Sequence, residues 1–172
     1  MSRWHVMILG ILLISSYYSA SAGDIPFTPA GLASLRSKNI CDLQGEFPIG
    51  VAVYLDRQKE NAIDYRERDG VYALFLLSKP LQRCGIVDAV LNLTPLIKQG
   101  EKAEFKCYTD REGGTTWGKW GHVVGLANDQ GGTKPVVKAR LAWRVNIKEK
   151  RFEEIHGPTV RCDTSGYEKR TR

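Results

Sequence analysis

The sequence predicts a mostly β protein, an antiparallel sandwich or barrel of about seven strands with a short N-terminal helix. Three observations predict it. Apolar residues recur at a period of two in many short runs separated by turn residues. Asp69-Gly70, a strong hairpin signal, joins two of those runs. Helical spacing longer than two turns is expected in one place only, at 28–36.

That helix takes Thr28 as its cap and Pro29 in its first turn, with Leu32 and Leu35 on one face. In 47–55 the period changes: Ile49, Val51, Val53 and Leu55 alternate with Gly50, Ala52 and Tyr54, which suits a strand covered on both faces. A strand at 61–66 then leads through Asp69-Gly70 into 71–77, where every residue is apolar, so 71–77 belongs in the centre of a sheet. Pro80 and Gly85 bracket a turn, and from 87 to 93 the alternation resumes with Val87, Ala89, Leu91 and Leu93. Residues 94–100 read as a capped helical turn closed by Gly100, followed by a strand at 103–109. A glycine-rich loop at 110–121 holds Trp117 and Trp120. Beyond it come a strand at 122–127, a turn at 128–132 and one long strand at 136–148. Residues 151–155 fold back on that strand as a hairpin, and 159–162 add a last edge.

Residues 1–22 read as a secretory signal peptide: Arg3, then the apolar run from Val6 to Ile14, then the exit Ala20-Ser21-Ala22. The apolar run is too short for a membrane span, which needs about 20 residues, and no later run approaches that length, so no span is expected after cleavage. Residues 23–166 are expected to form a single disulfide-linked β-rich domain, and 167–172 a basic, disordered tail. The net charge of +6 is mild and leans toward anionic partners.

Four cysteines, Cys41, Cys84, Cys107 and Cys162, follow the expected cleavage point, and an even count in an exported chain argues for two disulfides. Their spacings of 43, 23 and 55 residues exclude a Cys-x-x-Cys redox or zinc motif. Of the three pairings, 107 with 162 and 41 with 84 is favoured, because Phe105-Lys106-Cys107 and Val160-Arg161-Cys162 are similar contexts.

The cleanest pattern lies in 137–148. Its odd positions are apolar, and its even positions include Lys138, Arg140, Arg144 and Lys148. On one continuous strand, residues two apart are roughly 6.5 to 7 Å apart on one face, so these four would form a basic ladder able to track an anionic polymer. The bland reading is a solvated face whose charges are matched by Glu153 or Glu154 across the hairpin. Trp117 and Trp120 are the second candidate: two indoles in a glycine-rich loop either stack on a ligand or plug an end of the sandwich.

Signals for catalysis are sparse. His122 and His156 are the only histidines after the expected cleavage point, and neither sits in a triad or metal pattern. Asp88 and Glu104, expected to point outward from neighbouring strands, are the best carboxylate pair. No metal or cofactor is expected. The favoured reading is an exported, non-enzymatic binding module for an anionic glycan or other cell-envelope component, acting outside the cytoplasm in the periplasm or medium. The alternatives are a secreted inhibitor or other protein-binding domain, and a small secreted hydrolase.

Overall fold

Every residue from 71 to 77 is apolar because this strand is packed on both of its faces. Leu74 and Leu76 enter a cluster with Ile63, Val124, Leu126 and Trp143, whereas Ala73, Phe75 and Leu77 meet Phe27, Leu32, Leu35 and Val87 on the other side. The structure, a computed structural model, describes residues 25–43, 51–81, 84–109, 122–128 and 135–164. The expected signal peptide, the loop with Trp117 and Trp120, and the basic tail lie outside the described residues.

The first antiparallel sheet is a meander of β1 (Val51–Tyr54), β2 (Asn61–Arg68), β3 (Val71–Leu81) and β4 (Cys84–Asn92), in that order. Arg68 pairs with Val71, and the two residues between them, Asp69 and Gly70, have φ of 51° and 75°. A two-residue turn with both φ values positive matches the twist of the flanking strands, which is why Asp-Gly suits it.

Toward the C-terminus follow β5 (Glu101–Glu104), β6 (Cys107–Thr109), β7 (Val123–Asn128), β8 (Val136–Lys138), β9 (Leu141–Asn146), β10 (Arg151–Ile155) and β11 (Val160–Asp163). The second sheet has the order β10-β9-β7-β5 and the third β6-β11-β8. β7 is its sheet's counterpart of β3: Val124 and Leu126 face the main core, while Val123 faces a smaller cluster of Cys107, Ala139, Ala142, Val160 and Cys162. The layers are therefore the N-terminal segment, the first sheet, the second sheet and the third sheet. The described residues form a mostly β, sandwich-like fold with one short α-helix, as expected.

Two details depart from expectation. The strands expected at 103–109 and 136–148 are each broken, so the described residues contain eleven strands in three sheets. β5 pairs with β7 but β6 pairs with β11; β9 pairs with β7 but β8 pairs with β11. Each break carries the chain from one side of the second sheet to the other. Phe105 lies in the main core and Cys107 in the small cluster; Val137 and Ala139 lie in or against the small cluster, whereas Trp143 and Val145 lie in the main core. The expected helix is also shorter, with α1 spanning only Pro29–Ala33. Thr28 Oγ1 accepts from the Gly31 amide as predicted, but Leu35 N–H bonds back to Leu32, and Ser37 at φ 67° turns the chain away.

Both favoured disulfides are formed. Cys41–Cys84 ties the 3-10 turn Ile40–Asp42 to the start of β4, fastening the N-terminal cover to the first sheet. Cys107–Cys162 joins directly opposed residues of β6 and β11 within the third sheet. Each outer layer thus carries one covalent staple. Loops of 43 and 55 residues correspond to roughly 4 kcal/mol each on a chain-entropy account.

Candidate functional site

The four basic residues read as one ladder are distributed over four environments. Lys138 is exposed on β8, opposite Arg161 of β11. Arg140 sits in the break between β8 and β9, where its Nε and Nη2 donate to Glu101 Oε1 and Oε2, each at 2.6 Å, and Nη2 also donates to the Leu96 carbonyl. Arg144 is exposed on β9, opposite Glu153 of β10. Lys148 belongs to the tight turn that joins β9 to β10. A continuous basic ladder is therefore absent, because the strand that would carry it bends at Ala139 and Arg140.

Glu153 has the matching role foreseen for it. Its Oε1 accepts from Asn146 Nδ2 at 2.7 Å and from Arg151 Nη2 at 2.8 Å, and these donors hold its carboxyl below the usual carboxylate range.

The residues weighed for catalysis are not brought together. His122 Nε2 lies 2.8 Å from the Leu55 carbonyl, so that nitrogen carries the proton and the ring clamps the end of β1 to the entry of β7. Asp88 and Glu104 are buried rather than outward-facing, and they stand on strands of different sheets. Asp88 accepts from Lys150 Nζ at 2.8 Å. Trp117 and Trp120 lie outside the described residues.

What the fold does assemble is a cleft of about 520 Å³ between the N-terminal cover, β4 and the β9–β10 hairpin. Its walls are Leu32, Ala33 and Arg36, residues 89–91 of β4, and residues 149–152. β4 forms one flank because it is an edge strand. The Val87 amide and carbonyl pair with Lys38 and Ser37, but beyond Val87 the strand pairs, among the described residues, with β3 alone. The floor is apolar, formed by half-buried Ala89, Leu91 and Phe152, which pack against the main core.

The rim carries three cations and one carboxylate. Arg36 is exposed and makes no ion pair among the described residues. Lys150 and Arg151 engage Asp88 and Glu153, yet their side chains stay 56% and 61% exposed and retain donors that face solvent. Glu149 stands on the same rim. The sequence carried half of this signal in the turn Lys148-Glu149-Lys150-Arg151. The other half, Arg36, is more than a hundred residues away along the chain and meets the hairpin only through the packing of α1 on the first sheet.

Among the described residues, no helix is long and apolar enough to cross a membrane. Comparison with protein families, with curated proteins and with solved structures finds no match to this chain.

Proposed function

We propose that this protein is an exported, non-enzymatic binding domain for an anionic component of the cell envelope, and that the ligand is held at the cleft between α1, β4 and the β9–β10 hairpin. The observation that carries this reading is the convergence of Arg36, Lys150 and Arg151 on the rim of one concave site. Clefts of this size with a few placed polar groups are where small ligands and chain ends bind. Export is supported by the signal-peptide pattern of residues 1–22 and by two disulfides, which persist in oxidising compartments.

The test is a titration of the protein, and of its Arg36→Glu variant, against an anionic envelope polysaccharide and against anionic phospholipid vesicles at low and physiological salt. Binding to one of them, weakened by salt and by the charge reversal, is the expected result. Absence of binding to both at low salt, or binding indifferent to Arg36→Glu, overturns the reading.

A protein partner is the second reading, favoured by the edge of β4 inside the cleft, which is unpaired among the described residues and to which an extended segment can add as a strand. Such a partner would bind with modest salt dependence.

A further inference from the structure

Resting on the reading of this cleft as the ligand site, we infer that the ligand is an amphipathic anion: a carboxylate or phosphate head joined to an acyl or aryl body. The rim and the floor ask for different chemistry. Arg36, Lys150 and Arg151 outnumber the single carboxylate Glu149 at the mouth and offer N–H donors there, where an anionic head meets charge-assisted hydrogen bonds. Beneath them, Leu91 and Phe152 present carbon, half-buried and continuous with the main core.

A hydroxyl-rich sugar pressed onto that floor would lose water without gaining hydrogen-bond partners, a cost an acyl or aryl group does not carry. An inorganic anion would satisfy the rim and leave the floor wet. Only a ligand with both parts uses both surfaces. Free fatty acids and membrane lipids share this chemistry.

The experiment is isothermal titration of octanoate, octan-1-ol, inorganic phosphate and an anionic polysaccharide into the full chain and two variants. Arg36→Glu reverses the one rim cation that has no ion-pair partner among the described residues. Ala33→Trp places a ring at the cleft mouth from an exposed position at the end of α1, and a thermal melt confirms that it folds. The inference expects octanoate to bind, octan-1-ol and phosphate to bind at least about tenfold more weakly, and each variant to weaken octanoate about tenfold.

Octan-1-ol binding as well as octanoate overturns the inference, because the head would then be irrelevant. Phosphate or polysaccharide binding that Arg36→Glu weakens, with no binding of octanoate, overturns it too, while leaving the anionic reading of the cleft intact. Failure of every anion to bind removes both. When octanoate binds, displacement by anionic phospholipid vesicles identifies a membrane-held ligand, and its absence identifies a free acid.

Discussion

Arg140 and Glu101 form a two-pronged ion pair, Nε to Oε1 and Nη2 to Oε2, each at 2.6 Å. The pair joins the break between β8 and β9 to the start of β5, and its third bond, to the Leu96 carbonyl, anchors the turn before β5. Arg140 is thus a structural residue at the point where the chain changes sheets. Glu101 is nearly buried, and the Arg140 guanidinium holds its carboxyl below the ordinary 4.5. A depressed folded-state pKa means the folded protein binds fewer protons than the unfolded chain. The pair's contribution is then complete above about pH 4.5 and is lost as acid passes through the depressed value. Glu101→Gln should lower stability at neutral pH by about 1 to 3 kcal/mol and flatten the acid limb of the stability profile, read by urea denaturation from pH 3 to 7. An unchanged acid limb would show that the pair is not formed in solution.

Gly125 of β7 lies under the Cys107–Cys162 bridge. A Cβ there would stand 2.8 Å from Cys162 Sγ and 2.9 Å from Ala139 Cβ, so no side chain fits without moving the third sheet. Gly125→Ala should cost about 1 to 3 kcal/mol by overpacking. The cost should shrink in a Cys107→Ala/Cys162→Ala background, where the sulfur atoms are gone, and a double-mutant cycle in urea measures that coupling.

The two disulfides differ in access. Cys41 is exposed, whereas Cys107 and Cys162 are 6% and 0% exposed. Without reductant, thiol reagents should label none of the four cysteines, native or denatured. Under native conditions a dithiol should reduce Cys41–Cys84 first, and alkylation followed by mass spectrometry should find label on Cys41 and Cys84 well before Cys107 and Cys162. Hydrogen exchange should then rise in 25–43, the segment this bridge fastens to β4.

Lys150 and Arg36 both line the cleft but differ structurally. Lys150 compensates the buried Asp88, so Lys150→Ala should destabilise by about 1 to 3 kcal/mol as well as weaken ligand binding. Arg36→Glu should leave stability within about 0.5 kcal/mol of the parent and affect binding alone. Thermal melts beside titrations separate the two effects.

Much of the fold was legible because its signals are local. The unbroken apolar run at 71–77 announces a strand buried on both faces, and Asp69-Gly70 announces its hairpin. The bends at Phe105–Lys106 and Ala139–Arg140 were hidden, since no proline or glycine marks either. Val137, Ala139, Leu141, Trp143 and Val145 keep one alternating phase across a bend that sends the first two to a different cluster from the last two. Period-two alternation reports that a residue is covered, not which layer covers it. The same bend means that the likeness of Phe105-Lys106-Cys107 to Val160-Arg161-Cys162 was only partial: the favoured bridge is formed, but Phe105 faces the main core while Val160 lies with the disulfide. The cleft was the least legible feature, because α1, β4 and the β9–β10 hairpin meet only in the tertiary fold.

The most direct measurement is a map of backbone amide shift changes in a nitrogen-15 NMR spectrum as octanoate is added. The cleft account predicts the largest changes at Ala33, Arg36, Val90, Leu91, Lys150 and Phe152, with little at Lys138. Changes centred on Trp117 and Trp120 or on Lys138 would contradict it, and no changes at all would contradict the amphipathic anion as its ligand.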